Sequence, residues 1–135
     1  DLAPRTVQDR QAWFDEHTPA RFPLFVVQQD GRIAGWATLG PWRPGRVALN
    51  TVAEISYYVA RERRGQGVGT ALVEHALHAA EQLGYENLLA LLFGVNEASL
   101  ALLRRYGFTE WGRFPQIARV DGLRYDQVVW GCRLK

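Results

Sequence analysis

Arg63-Arg64-Gly65-Gln66-Gly67-Val68-Gly69-Thr70 is the stretch on which the reading of this chain turns. It follows a run with strand character, Glu54 to Val59, and opens a run with helix character, Thr70 to Leu83. Gly65, Gly67 and Gly69 stand at every second position, so backbone N–H groups lie open to a close-fitting ligand. A helix start adds unpaired donors and the positive end of the helix dipole. Arg63 and Arg64 bring full positive charge to the rim. The expectation is a phosphate cradle, and the plainer alternative is a glycine turn that only starts a helix.

Two familiar cradles do not fit the spacing. A Walker A loop carries Lys and then Ser or Thr after its last glycine, whereas Thr70 follows Gly69 directly. A dinucleotide fingerprint needs G-x-G-x-x-G, and the glycines here read G-x-G-x-G. Arg64-x-x-Gly67-x-Gly69 after a strand resembles the pyrophosphate signature of the GNAT superfamily, the acetyl-CoA-dependent N-acetyltransferases.

The rest of the chain is compatible with one small domain. Its 135 residues can bury roughly two-thirds of the unfolded surface. Hydrophobic content of 47% and charged content of 22% are those of an ordinary globular protein. A net charge of +2 with no long basic block argues against a nucleic-acid partner. No run reaches the length of a membrane span, and no signal peptide pattern opens the chain, so the expectation is no membrane and a cytoplasmic setting. The single cysteine, Cys132, rules out an internal disulfide framework and reads as a buried thiol in an apolar strand. His75 and His78 lie three apart on a helix without a third ligand, so no metal is expected.

Taken in order, Thr6 to Thr18 reads as a helix ended by Pro19. Leu24 to Gln29 and Ile33 to Leu39 read as strands joined by Asp30-Gly31, a two-residue hairpin turn. Gly40 to Gly45 is a loop, in which Trp42 and Arg43 are either solvated or a wall for a substrate. Thr51 to Val59 is a strand with Glu54, Ser56 and Tyr58 on one face, and Ile55, Tyr57 and Val59 on the other. Leu72, Ala76, Ala80 and Leu83 stripe the helix that Gly84 closes. Leu88 to Phe93 is apolar on both faces, as a central strand should be. Asn96 caps a further helix that ends at Gly107. Thr109 to Phe114, Ile117 to Val120 and Tyr125 to Leu134 are the remaining strands. The order implies a mixed α/β (α+β) domain around a single sheet.

From about Leu24 to Leu134 the chain resembles the GNAT fold, a mostly antiparallel central sheet flanked by helices, and within it the phosphinothricin-acetyltransferase-like branch. The resemblance rests on the strand running into the glycine motif, the Asn96-Glu97-Ala98-Ser99 helix start, Tyr106-Gly107-Phe108, and the Gly122-to-Asp126 turn. It implies that Gly65, Gln66, Gly67, Val68, Gly69 and Thr70, with Arg64, hold the pyrophosphate of acetyl-CoA as acetyl donor. It implies that Tyr58 and Val59 pair with the pantetheine arm and that Asn96 bonds it from the other side. Glu54 matches the branch's general base, with Ser56, Trp42 and Arg43 as acceptor-side candidates. Taking a proton from an amine of pKa about 10 is work that a carboxylate, or a water bound to it, can do at neutral pH.

The implied activity is acetyl transfer to a primary amine of a small molecule, an amino acid or analogue, by direct attack in a ternary complex. A protein or peptide amine is the alternative acceptor, and a non-catalytic acyl-CoA sensor the alternative class. The family's thiolate acid, four residues before the Gly of the Gly-Phe pair, falls on Leu103, which has no proton to give. Relatives of this kind are often homodimers, and the apolar terminal strand is a candidate for pairing. The family's first strand and helix have no full counterpart before the hairpin, so the fold is expected either trimmed at that edge or preceded by an upstream segment.

Overall fold

The computed structural model describes residues 22–134, so the expected helix at 6–18 lies outside the described residues. β1 (Leu24–Gln29) and β2 (Arg32–Pro41) form the predicted hairpin. Asp30 and Gly31 take φ of 53° and 76°, the left-handed pair that a two-residue turn requires. β3 (Val52–Val59) leads through a short 3-10 turn and the glycine stretch into α1 (Val68–Gln82). β4 (Asn87–Phe93) and α2 (Glu97–Arg105) follow, then β5 (Thr109–Val120) and β6 (Leu123–Arg133).

The six strands form one sheet in the order β1-β2-β3-β4-β6-β5. Only β3 and β4 run parallel; every other neighbouring pair is antiparallel. One sheet face is closed by the two helices. Leu39, Ala53, Ile55, Leu88, Ala90, Val128 and Trp130 from the strands meet Val73, Ala76 and Ala80 from α1 and Leu100 and Leu103 from α2. Phe108, 1% exposed, completes this core directly after Gly107 ends the helix, whose φ is 89°.

Two boundaries differ from the sequence reading. α1 begins at Val68 rather than Thr70. Gly67, at φ 83°, turns the chain so that Val68 drops into a second small core with Ala34, Ala37 and Leu72. The expected break at Pro115 and Gln116 is instead an irregularity inside one strand, β5. Gln116 takes φ 52° and donates its N–H to Asp126 Oδ1 at 2.9 Å, while Arg113 is held by Asp126 and by Glu110. The side chain of Asp126 carries the ladder past the bulge.

Gly35 in β2 has a separate purpose. A Cβ there would lie 2.6 Å from the Tyr58 carbonyl oxygen, 2.9 Å from Val68 Cγ1 and 3.1 Å from Leu72 Cδ1. Its bareness lets the first turn of α1 rest directly on the sheet.

Candidate active site

The two parallel strands do not stay together. β3 and β4 pair from Val52/Asn87 to Ile55/Ala90 and no further, although β3 continues to Val59 and β4 to Phe93. Beyond Ile55 the β3 edge facing β4 has no strand partner among the described residues, while its other edge is bonded to β2 as far as Val59. A split therefore opens toward the carboxyl ends of the parallel strands, the end at which open α/β sheets take ligands. An extended chain inserted there could use free backbone groups as a strand would.

The glycine stretch stands at the mouth of this split. Gly65 and Gly67 take φ of 78° and 83°, and a Cβ at either would meet no described atom within 4 Å. No side chain caps α1, so the first-turn amides keep their donors free of a side-chain acceptor. Gly69 is different from its neighbours. It lies inside the helix, and a Cβ on it would meet Leu102 Cδ2 at 3.1 Å, so its smallness serves the packing of α2 on α1.

The arginines divide similarly. Arg63 donates to Gln29 Oε1 at 3.4 Å and lies 3.3 Å from Asp30 Oδ2, which ties it to the hairpin turn rather than to the rim. Arg64 is exposed at the end of the 3-10 turn, beside the open amides. Sequence reasoning missed Arg105. Its guanidinium donates to Thr70 Oγ1 at 3.1 Å and so brings a cation to the first turn of α1. The signal available in the sequence was only a basic last turn on α2.

At the closed end of the split, Glu54 sits on the face away from the helices. Its partners are Gly40 on β2 and Leu89 on β4. The carboxyl is half-buried, and burial raises its pKa above the ordinary 4.5. Ser56 and Tyr58 follow on the same face, both exposed, and Tyr58 stacks on Trp36 with centroids 6.3 Å apart. Leu89 in turn pairs with Gly131, which places Gly131 about 10 Å from Glu54 at ordinary strand spacing. A Cβ on Gly131 would fall 2.2 Å from Trp111 Cε3, so the indole covers this glycine on the Glu54 face. Trp111 Nε1 donates to Thr109 Oγ1 at 3.1 Å. The sequence does not single out Trp111, because only the cross-strand register shows that its indole lies over Gly131, in the row of Glu54.

The remaining candidates are scattered around these two ends. Asn96 Oδ1 accepts from Ser99 N–H at 3.3 Å, so it caps α2 just beyond the end of β4 and keeps its amide NH2 for another partner. Trp42 and Arg43 lie in the loop after β2, at the opposite end of β3 from the glycine stretch. They line a cavity of about 440 Å³ with Arg46, Asn50, Leu83 and Tyr85, and neither Glu54 nor Ser56 borders it. Leu103 is fully buried in the core. Tyr106 turns its hydroxyl to Glu74 Oε2 at 2.8 Å, away from the split. The Cys132 thiol is half-buried, and burial pushes its pKa up. His75 packs edge-on against Phe25 at 4.4 Å. No described helix is long and apolar enough to cross a membrane.

Comparison with known proteins gives the family. The profile of the acetyltransferase (GNAT) family matches residues 2–108. A Bacillus subtilis (strain 168) relative named for phosphinothricin acetyltransferase, YwnH, is 44% identical over 99% of this chain and 82% of its own. An L-methionine sulfoximine/L-methionine sulfone acetyltransferase of Pseudomonas paraeruginosa is 35% identical over 91% of this chain and 72% of its own. The crystal structure of a GNAT superfamily phosphinothricin acetyltransferase from Sinorhizobium meliloti, in complex with AcCoA, superposes with a TM-score of 0.89. It is 25% identical and covers 98% of this chain and 72% of its own. On likeness that extends over most of its length, the chain belongs to the acetyltransferase (GNAT) family and is an N-acetyltransferase.

Proposed function

We propose that this N-acetyltransferase moves the acetyl group of acetyl-CoA to the primary amine of an amino-acid analogue of the phosphinothricin or methionine sulfoximine type. The observation that carries the reading is the split between β3 and β4, with open amides at its mouth and a shielded carboxylate at its closed end. The amides of Gly65 to Thr70, with Arg64 and Arg105 alongside, suit a pyrophosphate. The free edges of β3 and β4 suit the pantetheine arm, with Asn96 beside them.

Acetyl-CoA supplies an activated carbonyl. Glu54 takes the proton that the acceptor ammonium must shed before its nitrogen can attack. Burial raises the pKa of Glu54, which strengthens it as a base. Trp111 gives the acceptor an apolar wall on the same face. Attack is direct, within a ternary complex.

The test is release of free thiol from acetyl-CoA with phosphinothricin, methionine sulfoximine and methionine sulfone, set against polyamines and a peptide amine. Turnover is expected with the amino-acid analogues. Release with the peptide alone would transfer the reading to protein acetylation, and none with any amine would overturn acetyl transfer.

A further inference from the structure

Acetyl transfer by direct attack leaves one proton unassigned, and its assignment rests on that proposed function. As the acceptor nitrogen bonds to the acetyl carbonyl carbon, the C–S bond breaks and the sulfur leaves with its electron pair. Leu103 has no proton to give that sulfur, and the hydroxyl of Tyr106 is bonded to Glu74.

Tyr57 is the second residue of β3 beyond Ile55, the last one joined to β4. By strand alternation its side chain lies on the helix-covered face, opposite to Glu54, where it packs against the core. Its hydroxyl oxygen is buried and has no hydrogen-bond partner among the described residues. A buried hydroxyl left unpaired costs about 1–3 kcal/mol, so its retention calls for an explanation. Ser99, in the first turn of α2, approaches from the other side of the split without forming a bond of ordinary geometry.

We propose that Tyr57 is the proton donor to the departing sulfur. The amine is then deprotonated by Glu54 on one face of the sheet, and the thiolate is protonated from the other. The balance closes simply. A C–N bond replaces the C–S bond. The nitrogen sheds two protons, one from the ammonium before attack and one as the amide forms, and both leave to solvent through Glu54. The sulfur takes the phenolic proton and the phenolate recovers one from solvent, so one net proton is released. Burial raises the phenol's pKa above the ordinary 10.0, the Ser99 hydroxyl draws it partly back, and no ionised side chain contributes. The phenol therefore holds its proton at neutral pH, as a donor must.

Two measurements on the full chain test this. In turnover with acetyl-CoA and methionine sulfoximine, Tyr57→Phe should lower kcat by about tenfold to a hundredfold with KM for the donor nearly unchanged. Fluorinated tyrosine at position 57, isosteric but more acidic, should move the alkaline limb of kcat to lower pH. By calorimetry, wild-type protein should bind coenzyme A more tightly than desulfo-coenzyme A by about threefold or more, the contribution of one hydrogen bond. Tyr57→Phe should erase that difference. Full turnover in Tyr57→Phe, an unmoved alkaline limb, or a thiol preference that is absent from wild type or survives the substitution would overturn the assignment and leave acetyl transfer standing. Wild type that binds acetyl-CoA but releases no thiol with any amine would overturn both.

Discussion

In the proposed function the glycine stretch and the strand split serve one ligand, but they are made of different materials. At the glycine stretch the contacts are main-chain amides, and the sequence matters by what it omits: side chains at Gly65 and Gly67, a cap on α1. At the split the proposed chemistry belongs to side chains, Glu54 and Tyr57, set on opposite faces by alternation along one strand. On the proposed reading the first region binds and the second reacts. Substitutions in the two should fail in different ways: one in affinity, the other in turnover and its pH dependence.

The largest effect is expected at the closed end of the split. Glu54→Gln keeps the shape and removes the base, so turnover should fall about a hundredfold or more while calorimetry finds acetyl-CoA affinity unchanged. The pH profile sharpens the point. Wild-type activity needs the ionised carboxylate, so it is lost as pH falls through a pKa that burial has raised above 4.5. That acid limb should be missing from Glu54→Gln. A mutant that loses coenzyme affinity instead would place Glu54 with the binding region.

Next comes Gly67→Asp, which sets a carboxylate beside the open amides. Acetyl-CoA affinity should drop by about tenfold or more, since hydrogen bonds to charged groups are each worth about 1.5–3 kcal/mol. The fold should persist, because a side chain there meets nothing within 4 Å and the positive φ of Gly67 costs Asp about 1–2 kcal/mol of strain. Unchanged affinity would reduce the motif to a helix start.

Leu103→Tyr is the obvious way to restore an acid at the position where the family resemblance puts one. The structure predicts a different outcome. Leu103 is 0% exposed, so the larger ring should cost about 1–3 kcal/mol of stability by overpacking. Thermal unfolding would measure that loss, and a stable variant with faster turnover would contradict it.

The smallest effect separates two glycines of one motif. Gly69→Ala should leave acetyl-CoA affinity within about twofold of wild type, because that position meets Leu102 and not the ligand. A tenfold loss would show that a side chain at position 69 reaches the ligand as well as Leu102.

The binding region was legible in the sequence because it is local. Strand, arginines, glycines and helix follow one another within a few turns, and so do Asn96 and Ser99 at the start of α2. The α/β class and the hairpin at Asp30-Gly31 were equally local. What escaped was set by register. The Trp111 indole reaches the row of Glu54 only because Glu54 pairs with Leu89, Leu89 with Gly131, and the ring covers that glycine. Arg63 looked like a free rim charge until the hairpin brought Asp30 to it. Tyr57 looked like core, and the split that gives its hydroxyl a use is a property of two strands together.

Gly35 gives the binding region a second address. Nothing at that position touches a ligand, yet the distance between α1 and the sheet is fixed there, by the absence of a side chain beneath Val68 and Leu72. An added methyl would press on the Tyr58 carbonyl from below and lift the helix from its seat. The amides that begin at Val68 would rise with it, away from the strand edges they accompany. Residue 35 thus acts as a shim under the anion site, and a sequence search confined to the glycine motif would never find the residue that levels it.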